Sequence, residues 1–184
     1  MQAAKRNVSR RTEPKPRISP DRIRHMHGVA ELMREYAGVF KCRTLDRDGC
    51  YLLGLLHDIG YMHTKEGHEA AGSEFVGRHL KDGSKNMIAH CIRWHGATPS
   101  EYTEANQCTD SDIPPELILL WWADLMVESE GPHAGEAVGY PKRLAGIIER
   151  HGEEGHPFQS ARETMLWLSD YMSKILEEAY NAQA

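Results

Sequence analysis

The chain has 184 residues, 40% hydrophobic and 27% charged, with a net charge of −5, which suits one soluble domain with a sizeable core. Its longest apolar run, Leu117 to Ala123, is far too short to span a membrane, and the charged N-terminus lacks the apolar segment of a secretion signal. Four cysteines, Cys42, Cys50, Cys91 and Cys108, show no CxxC spacing and read as reduced thiols, so a cytoplasmic protein is expected.

Residues 1–20 carry six Lys/Arg and one Glu; the chain's −5 and this segment's +5 leave −10 for residues 21–184. Residues 1–19, with Pro14 and Pro16 and no apolar period, read as a disordered basic tail ahead of one domain spanning 20–184. Such a tail can touch phosphates. A solvated extension is the commoner case, and the acidic body argues against nucleic acid as the main partner.

Ser19-Pro20-Asp21 carries the signals of a helix start: a capping Ser, Pro in the first turn and an acid behind it. The expected helix runs to about Phe40, with Val29, Leu32, Met33, Tyr36 and Phe40 as its apolar stripe. One turn back from Val29 the stripe reaches His25, while His27 lies on the opposite face. On its own, a histidine so placed is more often a hydrogen-bonded core residue than a ligand.

Asp46 caps a second predicted helix, apolar nearly all round from Cys50 to Leu56 and so expected to be central, with Gly54 allowing close approach and Gly60 ending it. His57 and Asp58 close this dense run. A buried carboxylate must be paired, hydrogen-bonded or metal-bound, because an unpaired charge costs several kcal/mol to strip of water. The third helix is expected over 66–80, with His68, Gly72, Phe75, Val76 and His79 on one face, and the fourth over 85–95, with Met87, Ile88, Cys91, Ile92 and His95. His90 falls off that face, and His79 lies three turns from His68, too far along to share its site.

Residues 96–112 are polar without a period and read as a surface loop that covers the site. Pro114-Pro115 then opens a helix in which Leu117 to Val127 has one non-apolar residue, Asp124. An acid there is either paired with an arginine or a helix N-terminus, or it ligates a metal; beside His57-Asp58 we read it as a ligand. A loop over 131–139, an amphipathic helix over 142–151 and a last helix from Phe158 complete the chain. His133, His151 and His156 sit in polar or turn contexts and read as surface residues. With no strand-like alternation, the expectation is an all-α, single-domain bundle of six or seven helices.

The ordered set His25, His57-Asp58, His68, His95 and Asp124, with the stretch Leu55-Leu56-His57-Asp58-Ile59-Gly60 as its most specific part, resembles the HD superfamily of metal-dependent phosphohydrolases. The likeness extends over about residues 20–150, through Arg24-His25-Met26-His27-Gly28-Val29-Ala30 and Trp122-Ala123-Asp124. His68-Glu69-Ala70-Ala71-Gly72 and Trp94-His95-Gly96 resemble the extra histidines of its two-metal subgroups, among them bacterial diadenosine tetraphosphate hydrolases and GYP-type cyclic dinucleotide hydrolases. The GYP type fits poorly. Its lysine position after the HDIG stretch holds Tyr61, and Gly139-Tyr140-Pro141 follows Asp124 instead of the last histidine.

What the resemblance implies is a pair of divalent cations. His25, His57 and Asp124 would hold one, His68 and His95 the other, and Asp58 would bridge them and help to hold a metal-activated hydroxide that attacks phosphorus. Fe or Mn is expected first, with Zn, Ni, Co or Mg as alternatives, since imidazole and carboxylate ligands do not choose among them. A phosphorylated substrate, a nucleotide by expectation, also needs cations from the protein. Lys65 in the loop before His68 is the first choice, with Arg22, Arg24 and Arg93 as further candidates. Two rival readings stay open, a dinuclear iron oxygenase of related fold and a non-catalytic nucleotide-binding module. No membrane contact is expected, and a homodimer is left open.

Overall fold

A computed structural model describes residues 18–181, and the basic tail expected over 1–19 lies outside them except for its last two residues. Eight α-helices form the described part: α1 (Pro20–Tyr36), α2 (Arg47–Leu56), α3 (His68–His79), α4 (Lys85–Trp94), α5 (Pro99–Asn106), α6 (Pro115–Met126), α7 (Tyr140–His151) and α8 (His156–Asn181). Short 3-10 turns lie at Ile59–Met62, Asp110–Asp112 and Gly131–His133. The all-α class is as expected; the count exceeds six or seven because of one unforeseen helix, α5. Among the described residues the sole β pairing is an isolated bridge between Val127 and Ala137.

The hub is α6, not α2. It packs against α1, α2, α4, α7 and α8, and its Leu117, Ile118, Leu119, Leu120 and Ala123 are essentially without exposure. The second helix lies along α1, and its Leu52, Leu55 and Leu56 stay half-buried. That pairing is close: a Cβ on Gly54 would stand 2.6 Å from the Ala30 Cα, so glycine sets the interhelical distance there.

Both expected caps are present, with Ser19 accepting from the Arg22 amide and Asp46 from the Gly49 amide. The first helix stops at Tyr36, short of the expected Phe40. The chain then turns through Lys41, whose φ is +58°, and drives Phe40 into the core beside Trp122. Glu116, unremarked in the sequence, is buried and accepts from the amides of Arg43, Thr44 and Leu45 at 3.0, 2.8 and 3.2 Å. It thereby satisfies three backbone donors of the turn before α2.

Residues 96–112 are not a structureless cover. Thr98 and Glu101 form a capping box that starts α5, which buries Tyr102 in the core. The tyrosine hydroxyl bonds His90 Nε2 at 2.9 Å, a structural partner for that histidine. Gly60 does not end α2 either. The helix stops at Leu56, and Gly60 lies in the following 3-10 turn, pressed against the start of α3. A Cβ there would fall 1.8 Å from the His68 carbonyl oxygen.

Candidate metal centre

Three helices that pack on one another bring in the first group of ligand atoms. His25 projects from α1, His57 caps the end of α2 and Asp124 comes from α6. His25 Nε2 lies 2.8 Å from Asp124 Oδ1, and His57 Nε2 lies 3.8 Å from that same oxygen. The second group gathers at helix ends: Asp58 after α2, His68 at the first position of α3 and His95 capping α4. Asp58 Oδ1 is 3.2 Å from His68 Nε2 and 3.4 Å from His95 Nε2. Its Oδ2 stands 3.3 Å from His57 Nε2, so Asp58 links the two groups. Within each group the ligand atoms lie within 4.8 Å of one another.

The histidines are oriented from behind. His57 Nδ1 bonds the Gly54 carbonyl at 2.7 Å, His95 Nδ1 the Ile92 carbonyl at 2.8 Å and His25 Nδ1 the Glu128 carbonyl at 3.3 Å. A carbonyl can only accept, so the proton sits on Nδ1 and each Nε2 is left to ligate. Glu69 Oε1 lies 3.6 Å from His68 Nδ1, and Tyr61 stacks on the His68 ring at 3.9 Å between centroids.

Electrostatics bear on whether a cation fits. Burial would raise the Asp58 carboxyl, but the facing His57 and the rings of His68 and His95 hold it well below the usual carboxylate range. Asp124 is lowered likewise, burial being outweighed by His25 and His57. Burial by itself lowers His57, yet the charge of Asp58 overrides it and brings the imidazole up to about 9. Burial pushes His25 down despite Asp124 beside it. Asp58, buried, and Asp124, at the edge of the cleft, thus both stay ionised, and His57 Nε2, fully buried, makes no hydrogen bond. Adjacent donors around a divalent ion with bonds of about 2.1 Å stand about 3 Å apart, which matches the 2.8–3.4 Å separations of most pairs here. The donor set fits divalent metal.

Beside this centre lies a cleft of about 370 Å³ that Arg22, His68, His95 and Asp124 border on one side. Arg22 Nη1 donates to Asp58 Oδ2 at 2.8 Å, and its guanidinium rests over the Tyr61 ring at 4.8 Å. Lys65 is exposed and does not line the cleft; the segment after Gly60 turns its side chain to solvent instead of to the opening. Arg93 is likewise exposed and away from the cleft, and Arg24 pairs with Asp21 at 2.6 Å. Of residues 96–112, only Gly96 and Ala97 reach the cleft, so the expected cover is not there.

The opposite wall comes from α7 and α8 and includes Arg143, Arg150, His151 and His156, none of them anticipated. A signal existed: Arg143 is one turn before the buried Ile147, the same extension of a stripe that singles out His25. His133 and His79 are exposed and apart from the centre, with His133 paired to Glu136 and His79 to its own helix. Among the described residues no helix is long and apolar enough to cross a membrane, and the four cysteines are free.

No curated protein and no solved structure showed a significant match to the chain. A family model for the HD domain, however, matches residues 22–177, most of the chain and all six gathered side chains. The chain belongs to the HD domain family.

Proposed function

We propose that the chain is a phosphohydrolase that cleaves a small phosphoester or phosphoanhydride at a pair of divalent ions. His25, His57 and Asp124 would hold one ion, His68 and His95 the other, with Asp58 between them. The family is one of metal-dependent phosphohydrolases; the number of ions, the substrate and the two-metal subgroup are our reading. The observation that carries it is the convergence of four imidazole Nε2 atoms on two ionised carboxylates at the edge of a cleft.

When bound, divalent ions would lower the pKa of a water to near neutrality and neutralise phosphoryl oxygens. The remaining work falls to the chain's own groups. The three Nδ1–H bonds to backbone carbonyls fix the rings, so the ligand atoms need no reorganisation on binding. Asp58 is placed to accept a hydrogen bond from an attacking water and so aim its lone pair. Arg22, whose Nη1 reaches Asp58 Oδ2 at 2.8 Å from the border of the cleft, takes the phosphoryl contact that Lys65 was expected to make. Its hold on Asp58 and its place over Tyr61 keep the guanidinium at the mouth of the centre.

The test joins metal analysis of the purified protein to a screen of nucleotides and phosphomonoesters with Mn, Fe, Co or Mg added back. Phosphate release that requires metal and falls about a thousandfold in Asp58→Asn is expected. Undiminished turnover in that variant would refute the role of Asp58. Oxygen uptake on an organic substrate without phosphate release would replace the hydrolase with the iron oxygenase, and metal-independent nucleotide binding without turnover would leave a binding module.

A further inference from the structure

The far wall of the cleft carries two guanidiniums and one carboxylate in contact with them. Arg143 Nη1 donates to Glu128 Oε1 at 3.3 Å and to Ser129 Oγ at 2.8 Å, and Arg150 Nη1 approaches the same Glu128 oxygen at 3.5 Å. Two guanidiniums therefore share one carboxylate in contact, and the other carboxylate acting on Arg143, Asp124, belongs to the ligand cluster and would be taken up by a metal. The Arg143 side chain is 9% exposed, Arg150 25% and Glu128 10%, so solvent screens the surplus poorly. The Arg143 Nε is buried and has no hydrogen-bond partner. Glu130, the other acid of this wall, is exposed at the rim and pairs with neither arginine.

Glu128 also fixes where this pair stands relative to the metal centre. Its backbone carbonyl accepts from His25 Nδ1 at 3.3 Å while its carboxylate holds the two arginines. Ligand cluster and arginine pair are thus separated by the width of one residue, and both border the same cleft. A molecule with its phosphoryl group at the metals would bring a second group to the arginines. The cleft volume, about 370 Å³, lies near the lower end of ligand pockets, which run from about 300 to 1,000 Å³. Its one large aromatic, Trp121, is 2% exposed, which leaves a base only the small imidazoles of His151 and His156 to stack on.

We propose that Arg143 and Arg150 form a second anion site, and that the substrate is a compact phosphomonoester bearing a further phosphate or carboxylate, not a dinucleotide. This rests on the phosphohydrolase reading for the first phosphate but not for the second. Planar guanidiniums donate paired hydrogen bonds to either anion, so both sources need an arm.

The experiment compares 3-phosphoglycerate with glycerol 3-phosphate, and fructose 1,6-bisphosphate with fructose 6-phosphate. Binding to the purified metal-loaded protein is read by calorimetry, and phosphate release is followed separately. The added anion is expected to tighten binding about tenfold or more in at least one pair, and the pair that responds names the anion. In Arg150→Gln and in Arg143→Lys that preference should fall to about threefold or less. Arg150 is the more exposed of the two, so its variant decides should Arg143→Lys fail to fold. Equal binding within both pairs, or a preference that survives Arg150→Gln, would overturn the site. An arginine-dependent preference without phosphate release would keep the anion site and refute the hydrolase. Phosphate release with no preference would do the reverse.

Discussion

The two ligand groups are built differently, although they meet at one carboxylate. In the first, His25 lies within α1, His57 caps α2 and Asp124 stands in the last turn of α6, but all three contributing helices pack on one another. In the second, Asp58, His68 and His95 all stand at helix ends, and their spacing depends on turns. Gly60 touching the His68 carbonyl and Gly67 at a φ of +67° are parts of that turn geometry. Helices packed directly on one another resist displacement because several turns of packed side chains would have to move with them. Asp58, His68 and His95 move with the turns that join their helices. The first group should therefore hold its ion more tightly, and the second should be the one that single loop substitutions loosen.

The largest expected effect breaks this contrast at its strong side. Asp124→Asn removes the carboxylate between His25 and His57 and should lower affinity for the tighter ion about a thousandfold, or about 4 kcal/mol. His68→Ala should cost much less and act on the weaker ion alone. Metal titrations of both variants followed by calorimetry check the ranking; equal losses would sink it.

Next is pH, which probes the carboxylate joining the groups. With no metal bound, the charge of Asp58 brings the His57 imidazole up to about 9 against an ordinary 6.5. A raised histidine stabilises fully below about 6.5, and that contribution fades as pH climbs through about 9, a loss on the order of 3 kcal/mol. Asp58, lowered from its ordinary 3.8, acts in the other direction, its contribution being present above that value and lost as pH falls well below it. Metal must displace the His57 proton, so metal affinity should rise with pH toward about 9 and then level off. Denaturant melts and metal titrations across this range would expose a flat profile if the His57–Asp58 coupling is wrong.

Gly60→Ala sharpens the contrast at its weak side. The added methyl would fall 1.8 Å from the His68 carbonyl oxygen, so α3 must shift. About 2 kcal/mol of stability should be lost, with the second ion weakened and the first nearly untouched. The smallest effect is a control that touches neither group. Thr98→Ala breaks the capping box of α5 and should cost about 1 kcal/mol, with metal affinity unchanged.

How much could be read in advance follows the same division. Asp124 was legible because a lone acid in an apolar helix has no cheap bland explanation, and His25 because its stripe continues through Val29, Met33 and Phe40 to the core. His68 and His95 were legible because each extends the apolar face of its helix, and likeness to a family then marked them as ligands. The fifth helix was missed although Thr98 and Glu101 carry its capping signal. With Tyr102 as its main buried side chain, it shows no stripe to read. Arg143 was missed because the charge of an arginine argues for solvent, and only Glu128 and Ser129 beside it make its burial affordable.

By itself the sequence determined the helical class, the caps of α1 and α2, and which histidines face inward, because period and local hydrogen bonding act within a few residues. Tertiary structure decided the rest: that α6 is the hub, that six side chains drawn from five segments close to within a few ångströms, that Lys65 stays outside, and that two arginines of α7 face the cleft. These depend on which helices meet and at what angle. That is set by the summed burial of many side chains and by close approaches at residues such as Gly54 and Gly60, and no short window of sequence contains it.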